Sequence, residues 1–416
     1  MSDNATLPRP LEGITVLDLT TALAGPYATL ILAGLGARVI KVENPRSPDS
    51  ARTNSPYLGK EGLKVTREHD DDYSLAMLER GRNKEAVTLN MKHPEGRALF
   101  LDLVKQADAV VENYSAGVAD RLGIGYRACL DVNPRIVFTS ISGFGANVQA
   151  RQNKAMDNIV QAMSGMMLAS GNPGDAPVRT GIPFGDLTAP LFAAIGTLAA
   201  LMQARATGQG QHVDVSLLGA LSALVAAEPF EIMARLGHPT RSGNFMARLA
   251  PFGVFPTSDG YISICAPKDE FVSGLFKAMG REELLQDPRF STRDGRVRNH
   301  IELHDLVSGF TRTLSTPEAA ERLTDFGVPN GPVREPADAL RDPTLLARGE
   351  TAKLLHPTYG AVEDIVVGGL PIRMSGAFTG FDKPAVTLGA SNSDVYGHML
   401  GLAPERIAAL ERDGVI

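Results

Sequence analysis

Cysteine is scarce in this sequence and basic tracts are missing, and each lack removes a class of protein. The two cysteines, Cys129 and Cys265, stand far apart and form no CxxC pair. That argues against a zinc site, a disulfide framework and a secreted protein. The formal net charge of −6 comes with no basic run, so nucleic acid is not an expected partner. The opening MSDNATLPRPLEG has neither the basic nor the apolar region of a signal peptide. The longest apolar run, Leu187 to Met202, contains Thr, Pro and Gly. It falls short of the ~20 residues that a membrane span needs, so a buried helix and a cytoplasmic protein are expected.

Several catalytic and binding motifs are also missing. The first strand-to-helix turn, DLTTALAGP (18–26), has Gly25 alone where a dinucleotide fingerprint needs three glycines. Glu43, at the end of the second strand, imitates a ribose-binding acid but lacks that context. G-x-S-x-G does not occur, which gives no support to a hydrolase elbow. His300 and His304 sit four apart with no third ligand in view and read as surface-helix residues, so no metal is expected.

What is present has the composition of an ordinary soluble enzyme: 416 residues, 44% hydrophobic and 21% charged. That length exceeds what one core usually serves, so two domains are expected. GITVLDL (13–19), AGPYATLILAGLGA (24–37) and RVIKVENP (38–45) read as strand, helix and strand. The pattern recurs at HPEGRALFLDLVKQA (93–107) followed by DAVVENY (108–114), and again before RIVFTSISGFG (135–145). The expected fold is therefore α/β and doubly wound. Residues 46–80 break the pattern, and their acidic cluster EHDDD (68–72) reads as a solvated loop. Helices are expected over 156–206, then a short strand and a helix within 206–226. FGVFPTSDGYISICAP (252–267) reads as a hairpin turning at Ser258-Asp259-Gly260. The expected division is a large domain over 1–226, a small α+β domain over 227–330, and a return to the large domain over 331–416.

One stretch carries a chemical question. In RTGIPFGDLTAPLF (179–192) a Gly-Asp pair follows a short extended run and opens an apolar helix. Asp186 is either an N-cap of that helix or a working carboxylate. The dipole at a helix N-terminus keeps such a group ionised, Gly185 leaves a substrate room to approach, and an ionised carboxylate can attack an activated acyl group. Spacing leaves both readings open.

Ordered segments over most of the chain resemble the class III CoA-transferases, a family that also includes α-methylacyl-CoA racemase. They are PLEGITVLDLTTALAGPYATLILAGLGARVIKVENP (10–45), NKEAVTLNMKHPEGRALFLDLVKQADAVVENYSAGVADRLGIGY (83–126), NPRIVFTSISGFG (133–145), MDNIVQAMSGMM (156–167), GIPFGDLTAPLFAAIGTLAAL (181–201), GQGQHVDVSLLGAL (208–221) and FGVPNGPVREPADALRDP (326–343). The resemblance implies that Asp186 is the nucleophile and that CoA moves from an acyl-CoA to a free carboxylic acid through aspartyl intermediates. It implies no tightly bound cofactor, with CoA and acyl-CoA as substrates. It implies an interlocked homodimer whose Rossmann-like large domain has a parallel sheet built from both chain ends. Its CoA site maps onto Ala24, Leu89, Lys92, Asn113, Tyr114, Arg121, Leu122 and Lys154, with Met156 and Asp157 beside them.

The sequence also departs from the family. Leu23 stands where formyl-CoA transferase has Gln, Met156 stands where it has Tyr, and RSGNFMA (241–247) is the nearest counterpart of its glycine-run loop. These departures count against oxalate and formyl-CoA as substrates. The racemase branch has His where Met156 stands, and methionine cannot move a proton. Transfer is therefore the expected reaction, with racemisation and CoA binding without turnover as the alternatives. A small dicarboxylate is the expected acid, and Arg179, Arg241 and Arg248 are candidates to hold its second carboxylate.

Overall fold

The computed structural model of the protein describes residues 7–146, 155–246 and 248–416. Contacts divide the chain into two units. The first comprises residues 1–164, 180–224 and 340–416; the second comprises 165–179 and 225–339. The sequence expectation set its boundaries at 227 and 330 and did not separate 165–179.

The first unit contains strands β1 (Thr15–Asp18), β2 (Arg38–Glu43), β3 (Tyr57–Gly59), β4 (Gly62–Lys64), β5 (Tyr73–Ser74), β6 (Lys84–Thr88), β7 (Ala109–Glu112), β8 (Val137–Ser142) and β9 (His212–Ser216). Six of these form one sheet in the order β6-β2-β1-β7-β8-β9, and every pairing in it is parallel. Renumbered along the sheet, this is the doubly wound order whose direction of winding reverses beside the first strand, here between β1 and β7. Apart from the edge strand β9, the strands are short and mostly buried on both faces, as a sheet flanked by helices requires. Val16, Leu17, Val39, Ile40, Val87, Ala109, Val110 and Val137 are each at most 1% exposed.

Residues 46–80, which break the strand–helix pattern, have order of their own: β3, β4 and β5 pair antiparallel into a small sheet, followed by the helix Leu75–Arg80. Most of the acidic cluster is exposed, but Asp72 is buried and accepts from the Glu68 and His69 amides at 2.8 Å each. The C-terminal segment adds no strand to the large sheet, which the resemblance implies is built from both chain ends. Instead it covers the open edge of β6. Ser391 N donates to Ala86 O at 2.9 Å, Asn392 Oδ1 accepts from Thr88 N at 2.9 Å, and Tyr396 Oη donates to Thr88 O at 2.7 Å. Val395, Tyr396, Ile407, Leu410, Val415 and Ile416 then join the core with Val87, Phe100 and Val110. Covering an edge this way satisfies its backbone without extending the ladder. The strand-like run of the tail instead forms a separate hairpin, β13 (Thr351–His356) with β14 (Gly360–Gly368).

The second unit holds β10 (Phe252–Pro256), β11 (Tyr261–Cys265) and β12 (Asn330–Pro332), an antiparallel sheet. Its hairpin turns at Ser258-Asp259-Gly260, since Pro256 pairs with Tyr261. Phe255, Ile262, Ile264, Phe276, Phe290 and Leu303 form its core. His304 belongs to that core rather than to a surface helix. It is 3% exposed, stacks on Phe245 with centroids 4.1 Å apart, and burial, with His300 nearby, lowers its pKa to about 4.

Candidate active site

The turn after β1 is fixed by charges beneath it. Asp18 accepts from the Thr20 amide at 2.9 Å and from Lys84 Nζ at 2.9 Å. Lys41 Nζ donates to Thr20 O at 2.8 Å and pairs with Asp49 at 2.8 Å, and Asp49 accepts from the Ala22 amide at 2.8 Å. Glu43 is used here, bonded to the Asp49 amide at 3.0 Å and paired with Arg52 at 2.6 Å, which leaves it no role as a ribose acid. Ala22 is held at φ +65°, a strained backbone state for a residue with a Cβ. Gly25 is required by close approach, because a Cβ there would lie 2.3 Å from Thr20 Cβ and 3.0 Å from Asn113 Cγ.

Above this turn, at the carboxyl ends of β1, β7 and β8, lies a cleft of about 550 Å³. Its walls are Thr21–Ala24 after β1, Asn113–Ala116 after β7, Ile141–Gly145 at the end of β8, Ala155–Asn158, Asp186 and Leu217. Open α/β sheets bind ligands where the winding reverses, and this cleft occupies that place. Thr21, Ser115 and Gly143 escaped the sequence reading; the ends of β1, β7 and β8 were the signal that would have found them.

Asp186 lies in the first turn of the long helix Phe184–Thr207, but it does not cap it. Pro183 is the N-cap residue and makes no side-chain bond. The cap comes from outside the helix. Asp157, at the start of the helix Asp157–Met163, accepts from the Gly185 amide at 2.7 Å and from the Asp186 amide at 3.3 Å. Gln161, one turn on, donates to the other oxygen of Asp157 at 2.6 Å and accepts from the Thr180 amide at 2.9 Å. Gly185 serves this joint rather than leaving room for a substrate, since a Cβ would meet Val160 at 3.0 Å and Asp157 at 3.1 Å. Asp186 therefore keeps its carboxylate for the cleft. Burial and the neighbouring Asp157 push its pKa up to about 6, against the pull of Arg80. The dipole does not keep Asp186 near its ordinary value; a second carboxylate already occupies the helix N-terminus.

Of the residues assigned by resemblance, Ala24, Asn113, Tyr114, Met156 and Asp157 line the cleft with Asp186. Asn113 uses both ends of its amide on Thr21, accepting at 2.8 Å and donating at 2.9 Å, so it ties two walls together. Met156 is 75% exposed. Leu89 is 0% exposed within the core, so its side chain offers no ligand surface. Lys92 and Arg121 are exposed, and Leu122 packs against the core, all off the cleft lining. Lys154 lies outside the described residues. Arg241 is buried and donates through its two terminal nitrogens to the carbonyls of Asp175, Ala176 and Met167, while its Nε has no partner among the described residues. Arg248 pairs with Glu228 at 3.0 Å. These two arginines, with Arg179, belong to the second unit.

A cleft at the sheet's switch point, with a carboxylate of raised pKa in its wall, marks an enzyme of the α/β class. Comparison with known proteins says which. Residues 11–392 match the family described as CoA-transferase family III. The chain is 33% identical over 412 residues to succinyl-CoA–D-citramalate CoA-transferase of Chloroflexus aurantiacus, covering 98% of each. It is 36% identical over 395 residues to acetyl-CoA:oxalate CoA-transferase of Acetobacter aceti, covering 94% of this chain and 95% of that one. It is 31% identical to human succinyl-CoA:glutarate CoA-transferase over 98% of this chain and 90% of that one. Among solved structures, a CaiB/BaiF family protein from Brucella suis matches with TM-score 0.80 and 31% identity, covering 94% of this chain and all of that one. The chain belongs to CoA-transferase family III. It is an acyl-CoA:carboxylate CoA-transferase.

Proposed function

We propose that the protein moves CoA between small dicarboxylic acids by covalent catalysis on Asp186. The observation that carries this is the Asp186 carboxylate in the cleft, uncommitted among the described residues, with its pKa pushed up to about 6. At neutral pH it is mostly ionised, and its raised basicity favours nucleophilic attack. Asp186 attacks the thioester carbonyl, the C–S bond breaks, and CoA leaves as thiolate with a mixed anhydride in its place. The thiolate then attacks the aspartyl carbonyl, releasing the first acid as carboxylate and forming an aspartyl-CoA thioester. The acceptor carboxylate attacks that thioester, giving a second anhydride and free thiolate. Attack of the thiolate on the acceptor's acyl carbon yields the new acyl-CoA and returns Asp186. Each step exchanges groups of similar transfer potential, and water must be kept from the anhydrides.

The dicarboxylate class is supported by the relatives, which are named for succinyl-CoA with citramalate or glutarate and for oxalate. Oxalate, disfavoured by the sequence departures, returns as an acid to test. Racemisation fares worse. It needs a proton-transferring group on each face of the α-carbon, yet Met156 has none, and both Asp157 oxygens are bonded to the helix amides and Gln161. Ala24, Tyr114, Met156 and Asp157 are proposed to contact the CoA thioester, and Lys92, Arg121 and Lys154 to meet its phosphates.

A homodimer, interlocked as the resemblance implies, is part of the same proposal. Its support is the row Leu191, Phe192, Ile195 and Met202, exposed along the long helix. That helix is apolar and long enough to cross a membrane, and half of its apolar window is buried within the chain. Light scattering should give twice the chain mass; a stable folded monomer would overturn the dimer.

The test of the reaction is intact-protein mass spectrometry after mixing with acyl-CoAs, with hydroxylamine trapping and peptide mapping. A hydroxamate at Asp186 is expected with dicarboxylic acyl-CoAs. No adduct, together with exchange of the substrate α-proton into deuterated water, would support racemisation instead.

A further inference from the structure

The cleft holds two acidic groups, Asp157 and Asp186, and a dicarboxylate substrate brings a further negative charge to them. Like charges this close repel, so a cation must answer the substrate's distal carboxylate. Arg241 and Arg248 are committed within the second unit, as described above. In the first unit, Arg80 ends the helix Leu75–Arg80. Its Nη1 donates to the carbonyl of Ala22 at 2.7 Å, and Ala22 is part of the cleft wall. Its Nε is buried and, among the described residues, has no hydrogen-bond partner. Among the described residues no carboxylate lies within ion-pair distance of it, and the acids whose charges act on it are Glu79, Asp49 and Asp186. Arg82, two residues on, shows the opposite economy: buried, it donates to Glu79 O and Gly368 O at 2.8 Å each and lies over the Phe381 ring. One arginine is consumed by the fold, and the other is bonded to the cleft-wall residue Ala22 with its Nε unpartnered among the described residues.

We propose that the Arg80 guanidinium receives the distal carboxylate of a dicarboxylic substrate whose reacting end lies at Asp186, and that this contact sets the preference for dicarboxylates over monocarboxylates. The inference rests on the Asp186 reading above and names the residue that selects the substrate class. A guanidinium fits the task, because its planar donors match a carboxylate in two bonds and its charge persists at any working pH. Its anchor on Ala22 fixes where the remaining donors point. Helix-end placement matters less, since the segment is short.

The experiment compares acylation of Asp186 by succinyl-CoA and by butyryl-CoA, which differ by a carboxylate in place of a methyl group. Second-order rates are read by intact mass in the whole protein and in Arg80→Gln and Arg80→Lys. The succinyl-to-butyryl rate ratio should fall roughly 10- to 100-fold in Arg80→Gln. It should fall less in Arg80→Lys, which keeps the charge but not the planar fork. The lysine variant also secures the result if the glutamine variant does not fold. An unchanged ratio, with both rates falling together, would show that Arg80 only holds the Ala22 turn, and would overturn the inference while leaving Asp186 as nucleophile. No acylation of the wild-type protein by either thioester would remove the Asp186 reading, and the inference with it.

Discussion

Asp18 and Asp186 carry the same side chain into opposite environments. Asp18 is 0% exposed. Burial pushes its pKa up, but Lys84 and Lys41, with the hydroxyls of Thr20 and Thr29, more than reverse this and hold it well below the usual carboxylate range. Asp186 is only half-buried, yet its pKa is raised, because burial is joined by a second carboxylate, Asp157, and the opposing charge of Arg80 is too weakly coupled to win. Depth of burial therefore does not decide which way an aspartate's pKa moves. The partners do. Asp18 has every lone pair claimed by the turn it builds, whereas Asp157 has taken over the capping task and leaves Asp186 unclaimed. The stable charge shapes the cleft, and the uncomfortable one is available for chemistry.

This contrast can be broken by substitution. The largest effect is expected from Asp186→Ala, which should lower CoA transfer by roughly 10³-fold or more and abolish the hydroxylamine-trapped adduct, with CoA binding by calorimetry nearly intact. Full activity in this variant would assign the nucleophile elsewhere. Lys84→Met should strand Asp18 as a buried charge and cost about 3–5 kcal/mol in urea denaturation. Adding Asp18→Asn should recover part of that loss; a single variant as stable as the parent would mean that Asp18 is not held by its ion pair.

Asp186→Asn should act in the opposite direction on stability. The folded pKa of about 6 lies above the unfolded value of 3.8, so the folded state binds the extra proton between them. Wild-type stability contributed by this group is then present at low pH and is lost as pH rises through about 4 to 6. At pH 8 the asparagine variant should be more stable by about 1–2 kcal/mol, with the gap closing near pH 4. A gap independent of pH would show that the carboxylate is not perturbed. The smallest change is expected from Asp157→Asn, which keeps an acceptor for the Gly185 amide and removes the like charge. The midpoint of the rate-against-pH curve should move down from about 6. A midpoint that stays fixed would leave burial as the sole cause.

Much of the scaffold was legible because short apolar runs alternating with helical spacing admit few folds. The units 13–19, 24–37 and 38–45 correspond to β1, the helix Ala24–Gly34 and β2. β6 was not read as a strand, because KEAVT carries charge at its start and is too brief to alternate clearly. Its edge is satisfied by residues some 300 positions later, a pairing that no local pattern announces. The C-terminal contribution is hidden for the same reason: GAVEDIVVGG has strand composition and forms β14, but its partner is the adjacent β13 and not the large sheet that the resemblance implies.

For the site, the sequence by itself determined that a carboxylate stands at the start of a long apolar helix, and its resemblance to a family gave that carboxylate a role. Tertiary structure alone decided that Asp186 is not the cap, because the group that fills the helix N-terminus, Asp157, comes from 29 residues away. It also decided which cations remain for a substrate. Arg82 and Arg241 bond to carbonyls that only folding brings near them, while Arg80 bonds to Ala22 in the cleft wall. Residue identity fixes what a group can do. Hydrogen-bond partners and charge fields are set by distances in space, and these decide which capable group is left to do it.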